Sequence, residues 1–203
     1  MLMIIDKKHF TYLVNQHGRV AHAKDDFVKW CAAYEDSLGS MYVNIRPVLP
    51  VSCNSILDIG SGLGGIQLFL WEHYQKEAQV TLLDGDENGP EVRWSYEPHN
   101  SMAVAFDFLH KNGLTRVGSL GPNDLDKWDG EPFDLVVSFA AWGFHFPPGN
   151  LIPDLKKCTH KSTVIVTEVR RTKPDWLREM VLAFGQPKVL ERAKKYVRVA
   201  FGA

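Results

Sequence analysis

Ser55-Ile56-Leu57-Asp58-Ile59-Gly60-Ser61-Gly62-Leu63-Gly64-Gly65-Ile66-Gln67-Leu68-Phe69 decides how this chain is read. Ile56 to Ile59 is a short apolar run with one acid inside it, the pattern of a buried strand. The run stops at a glycine-rich turn, and Gly60 to Gly65 satisfies G-x-G-x-x-G. Apolar residues then resume, and Ile66 to Gln75 reads as a helix. Strand, turn and helix in that order are the context such a turn needs to hold a ligand. Its glycines let the backbone approach where a Cβ would collide. The helix behind it opens with unpaired N–H groups and a positive dipole end. By itself the fingerprint fits dinucleotides and other adenosine ligands alike.

Gln79 to Leu83 is the next apolar run, and Asp84 follows it, 24 residues after Gly60. A carboxylate there can accept both hydrogen bonds of an adenosine ribose. Asp86 is a competing acid, with a solvated loop as its plainer reading. Residues 85–98 are loop-like, and Asn100 to Lys111 is helical. Thr115 to Val117 reads as a brief strand, Phe133 to Ser138 as a buried one, and Leu151 to Cys158 as a helix. Thr163 to Val169 is another strand, and Trp176 to Phe184 another helix. Lys188 to Ala193 and Tyr196 to Phe201, joined by Lys194-Lys195, form an antiparallel hairpin. On the amino side, Phe27, Trp30, Cys31 and Tyr34 predict a helix from Ala23 to Leu38 that Gly39 ends. A second short helix then covers Ser40 to Arg46 before Pro47. The alternation predicts an α/β fold: a Rossmann-like, doubly wound, mostly parallel seven-stranded sheet with a C-terminal antiparallel hairpin.

With 203 residues, 45% hydrophobic and 23% charged, the chain is an ordinary globular domain with a short appendage. Lys plus Arg number 23 against 24 Asp plus Glu, so the net charge is −1. Nucleic-acid binders usually carry a basic excess, so nucleic acid is disfavoured as a partner. No apolar run approaches the roughly 18–20 residues of a membrane span, and Asp6 follows Met1 too soon for a secretory signal. Cys31, Cys53 and Cys158 form no C-x-x-C pair, which suits a reducing compartment, the cytoplasm. His9, His17 and His22 are scattered, which suggests a peripheral segment more than a metal site.

Asp58-Ile59-Gly60-Ser61-Gly62 together with Asp84 resembles the class I S-adenosylmethionine-dependent methyltransferases, whose first motif has an acid just before the glycines. Nicotinamide-binding folds more often carry an apolar residue at that point. The likeness spans Ser55 to Phe201, and the hairpin matches the antiparallel strand that family adds to its sheet. It implies S-adenosylmethionine as cofactor and S-adenosylhomocysteine as product. Asp58, Gly60, Ser61 and Gly62 would surround the methionine part, and Asp84 would bind the ribose. Residues 1–50 are then a helical lid or appendage, and 51–203 the cofactor-binding domain.

In open parallel sheets ligands sit beyond the carboxyl ends of the strands. The acceptor chemistry is therefore expected in Phe139-Ala140-Ala141-Trp142-Gly143-Phe144-His145-Phe146-Pro147-Pro148. The segment lacks the Asp/Asn-Pro-Pro-aromatic run of amino-methylating DNA enzymes and the Pro-Cys of cytosine-C5 enzymes. Residues 138–149 hold no carboxylate for magnesium, so no metal site is expected. Together with Tyr96 to Met102, the segment resembles a branch of sugar O-methyltransferases found in phage and bacterial surface-polysaccharide contexts. The resemblance implies metal-independent O-methylation of a small molecule or of a sugar or glycan hydroxyl.

His145 is the candidate general base, since its intrinsic pKa lies near neutrality; a packed, inert ring is the plain alternative. Trp142 and Phe144 are candidate acceptor contacts, with core packing as theirs. Glu168 is expected to orient a hydroxyl or to meet Arg170 or Arg171. Asn100 and Ser101 are weaker candidates at a helix start, with capping as the plain explanation; Tyr34 and Tyr42 flank the amino-terminal helices that would lid the cofactor, with core packing as the plainer reading. Basic residues from Arg170 to Arg198 suggest an anionic acceptor, or simply a guarded solvated edge. The competing functions are a nucleic-acid methyltransferase, a non-catalytic S-adenosylmethionine-binding protein and a nicotinamide oxidoreductase.

Overall fold

A computed structural model describes residues 3–17, 27–85 and 100–203. His22, Asp86 and the stretch 96–99 lie outside the described residues, as does the start of the helix expected at Ala23.

The strands are β1 (Ser55–Ile59), β2 (Gln79–Leu83), β3 (Val117–Leu120), β4 (Phe133–Ser138), β5 (Thr159–Arg170), β6 (Lys188–Arg192) and β7 (Tyr196–Phe201). They form one seven-stranded sheet in the order β3-β2-β1-β4-β5-β7-β6. The first five pair in parallel, whereas β7 runs antiparallel to both β5 and β6. This is the doubly wound sheet with a carboxyl-terminal hairpin that the sequence predicts. Parallel strands covered on both faces need continuous apolar runs, and β1 and β2 are buried at every position after the first.

The helices are α1 (Lys7–His17), α2 (Phe27–Ile45), α3 (Gly65–His73), α4 (Met102–Lys111), α5 (Ile152–Lys157) and α6 (Pro174–Phe184). On one face, Leu13, Trp30, Leu38, Leu68 and Phe108 from α1 to α4 share a core with Ile56, Val80 and Val137. On the other, Leu155 and Met180 of α5 and α6 pack with Leu57, Val136 and Ile165. Strand alternation therefore assigns Asp58, two residues after Ile56, to the α1–α4 face.

Two local expectations are corrected. The amino-terminal segment forms one helix through Gly39 where two were expected. A glycine inside a helix costs about 1 kcal/mol relative to alanine, but here it lies against the Phe69 ring of α3, and Tyr42 stacks on that ring at 5.7 Å. Packing of α2 on α3 overrides the stop signal. The third strand lies at 117–120, later than Thr115 to Val117. Gly118 and Ser119 carry no apolar signal, and pairing with Val80 to Leu83 makes the strand.

Candidate active site

The strand order reverses between β1 and β4, the point where such sheets open a crevice. Ser138 closes the strand ends there: its Oγ donates to the Ile59 carbonyl at 2.8 Å and accepts the Trp142 N–H at 3.0 Å. Gly60 donates its N–H to the Leu83 carbonyl at 2.7 Å, joining the glycine turn to the end of β2. Its φ is +71°, and a Cβ there would overlap the Ala141 methyl. Only glycine lets the loop after β4 rest on the turn after β1.

Asp58 is 2% exposed. Its Oδ2 accepts the Gln67 amide at 3.0 Å. Burial pushes the Asp58 carboxyl up to about 7, the charge of Asp84 adds to the rise, and the Gln67 bond opposes it. Asp58 has no ion-pair partner among the described residues. Tyr34 of α2 reaches the same corner. Burial and then the Asp58 charge push its hydroxyl pKa up, and the Gly65 N–H opposes them.

Asp84 accepts the N–H of Gly62 at 2.7 Å and that of Gly85 at 2.8 Å. Asn100 spans turn and acid, its amide reaching the Gly62 carbonyl at 2.8 Å and Asp84 at 3.3 Å. The capping role expected of Asn100 and Ser101 is not what they do. Ser101 is the N-cap of α4 but makes no side-chain cap bond, and Asn100 works on the glycine turn.

Ser61 Oγ and Gln67 Oε1 are buried with no hydrogen-bond partner. Buried polar atoms are normally satisfied. With Asp58 and Asp84 they make the turn rich in acceptors. That set of acceptors fits a cationic ligand bearing hydroxyls, so an S-adenosyl cofactor fits these residues. Sequence reasoning missed Gln67 and the reach of Tyr34. The spacing of Gln67 from Gly64, at the mouth of α3, was the available signal.

The acceptor-side loop is tightly wound. The Ala141 carbonyl accepts the N–H groups of Phe144, His145 and Phe146 at 3.0, 2.8 and 3.1 Å. His145 is exposed. Partial desolvation, then the charge of Arg170, lowers its pKa from the ordinary histidine value. The Arg170 guanidinium lies 4.6 Å over the ring of Phe144, which meets His145 edge-on at 4.9 Å. Phe144 is buried under that pair.

Trp142 requires a correction. It is 0% exposed, and its indole N–H donates to the Pro148 carbonyl at 3.1 Å. It supports the loop from the core and does not present its ring to an acceptor. Glu168 meets neither Arg170 nor Arg171 in an ion pair; Arg198 of β7 takes its Oε1 at 2.6 Å.

His9 is fully buried between Asp6 and Asp107, and these three could ligate a metal. The Lys111 ammonium bridges the two acids at 2.7 and 2.9 Å, so the cluster carries its own cation and ties α1 to α4. No described helix is long and apolar enough to cross a membrane.

No protein-family model and no curated protein sequence matches the chain. Solved structures do. A candidate O-methyltransferase from Klebsiella pneumoniae aligns over 98% of this chain and 91% of its own, with 17% identity and a TM-score of 0.57. Cofactor-bound Rv0187 from MTB aligns over 98% of both chains at 15% identity and 0.57. The ribosomal protein L11 methylase of Lactobacillus delbrueckii subsp. bulgaricus aligns over 82% of this chain and 77% of its own, at 16% and 0.56. The chain has the Rossmann-like methyltransferase fold. At these identities the likeness is one of fold.

Proposed function

We propose that the chain is an S-adenosylmethionine-dependent methyltransferase that methylates a hydroxyl of a small molecule or glycan without a metal ion. One observation carries the cofactor half. Around the glycine turn, the orphaned oxygens of Ser61 and Gln67 join the carboxylates of Asp58 and Asp84. When bound, S-adenosylmethionine supplies an electrophilic methyl group on a positive sulfur. Asp58, with Gln67 beneath it, answers the positive charge, and Asp84 receives the ribose hydroxyls. Gly60, Ser61 and Gly62 provide the close backbone approach. Residues 1–50 act as the lid, a role supported by Tyr34 reaching the mouth of α3.

On the acceptor side, His145 takes the hydroxyl proton on its neutral ring nitrogen as the oxygen attacks. Arg170 beside it favours the neutral ring, because a cation disfavours a second positive charge. In-line placement of the hydroxyl by the loop supplies much of the acceleration. Arg170, seated on the buried ring of Phe144, forms the rim against which the acceptor packs. A sugar hydroxyl is the favoured acceptor, a reading in keeping with an O-methyltransferase among the structural neighbours. The three free cysteines suit the cytoplasm.

The test is S-adenosylhomocysteine release across sugars, phenols, nucleotides and RNA. Release with a hydroxyl-bearing small molecule is expected. Release with RNA alone would move the chain to the nucleic-acid enzymes. Cofactor binding without release on any acceptor would make it a non-catalytic binder.

A further inference from the structure

We propose that Glu168 is a positioning residue: its carboxylate holds Ala140 in the left-handed region and so sets the turn that carries His145. Ala140 has φ +55°, a conformation that disfavours any residue with a Cβ. Such strain persists where the surroundings over-determine it. Here the Ala140 N–H donates to Glu168 Oε2 at 3.1 Å. The other oxygen, Oε1, accepts from Arg198 Nη2 at 2.6 Å and Nε at 3.2 Å. Arg198 is itself fixed by Glu191 at 2.7 Å and by Asn44 of α2 at 3.0 Å. Its guanidinium also lies 5.5 Å over the Phe139 ring.

The pair is nine-tenths buried on both sides, with Glu168 and Arg198 each 4% exposed. A buried ion pair is often no more stabilising than a well-packed apolar pair. An apolar pair, however, could not accept the Ala140 N–H. With Oε1 fixed by the arginine, Oε2 is the arm left for the loop.

Two consequences follow from Ala140. The next residue, Ala141, seats its methyl on Gly60 of the cofactor turn. Its carbonyl gathers three N–H groups, that of His145 among them. One carboxylate thus fixes the relation between the donor turn and the proposed base. Through Asn44 it is joined to α2 as well. The functional consequence rests on the reading of His145 as base; the positioning does not.

The experiment follows the His145 ring by NMR across pH in the wild type, in Glu168→Gln and in Glu168→Gln/Ala140→Gly, with thermal melting as the fold control. Glutamine offers one acceptor oxygen to two donors, so the Ala140 bond is lost and the loop relaxes. The His145 midpoint should rise toward the ordinary histidine value by several tenths of a pH unit. Ala140→Gly should return it, because glycine takes positive φ without strain. A merely structural role for Glu168 would lower the melting temperature without this rescue. If Glu168→Gln does not fold, Glu168→Leu with Arg198→Met removes the carboxylate without leaving a buried charge unpaired, since Glu191, the other partner of Arg198, is partly exposed to solvent, and the same rise is expected. A His145 titration unchanged in the folded Glu168 variants, or one that Ala140→Gly does not restore, overturns the proposal. S-adenosylhomocysteine titrated into the wild type in parallel separates the two readings. Absence of heat there would sink the methyltransferase reading and leave the loop result standing.

Discussion

Asp84 accepts the backbone N–H of Gly62 at 2.7 Å, so the acid after β2 braces the glycine turn after β1. The same carboxylate is the one proposed to bind the ribose. On that proposal one residue both shapes the turn and faces the ligand, and its removal acts on both.

Asp84→Ala should weaken S-adenosylhomocysteine binding by about 1–3 kcal/mol, roughly 5- to 150-fold in Kd, the usual worth of charge-assisted bonds. Calorimetry checks this. An unchanged Kd would remove Asp84 from the cofactor site.

Asp58 makes stability depend on pH. Its carboxyl is raised from 3.8 to about 7 in the folded chain. The native state therefore holds a proton that the unfolded chain has lost between these values. The contribution to stability is fully present below pH 3.8 and is lost as pH rises through 7. At about 1.36 kcal/mol per pKa unit, the loss approaches about 4 kcal/mol above pH 7. Asp58→Asn should accordingly be more resistant to urea than the wild type at pH 8, with the advantage vanishing near pH 4. A cationic cofactor should also expel the Asp58 proton, so binding heats at pH 7 should vary with the ionisation enthalpy of the buffer. Equal urea midpoints for the two proteins at pH 8 would contradict this.

His145→Ala should cut turnover by roughly 10²–10⁴ while leaving S-adenosylhomocysteine affinity intact. Since Arg170 helps to lower the His145 pKa, the acid limb of the wild-type rate profile should lie below pH 6.5. Arg170→Gln should move that limb upward. Full activity in His145→Ala would return the ring to surface packing.

The sheet was legible because its parallel strands are continuous apolar runs, and because Gly60 to Gly65 mark the point where β1 turns into α3. The positions of Asp58 near the end of β1 and of Asp84 just after β2 were legible from their offsets along the chain. What was hidden depends on contacts across the sequence. Glu168 finds Arg198 on an antiparallel neighbour 30 residues away, where proximity along the chain pointed to Arg170 and Arg171. Asn100 looked like a cap because its use, at Gly62, lies 38 residues back. Trp142 looked like an acceptor contact because an aromatic loop residue and a core residue are the same letter.

Gly39 misled for the same reason, and it gives a prediction. A Cβ there would meet the Phe69 ring at 3.7 Å, an ordinary contact, on helical backbone. Gly39→Ala should stabilise the chain by about 0.5–1 kcal/mol. Gly60→Ala, with its methyl against Ala141 at φ +71°, should destabilise it and abolish cofactor binding. Thermal melting of both variants checks the contrast; a fall for Gly39→Ala would mean that α2 and α3 pack more closely than described.

The proposed S-adenosyl site is the acceptor-rich turn after β1, braced by Asp84 just after β2. Isothermal titration of the purified protein with S-adenosylhomocysteine tests it most directly. One molecule should bind per chain, and Asp84→Ala should lose most of the heat. Nothing detectable with either S-adenosylhomocysteine or S-adenosylmethionine, in buffers from pH 6 to 8, would contradict the account.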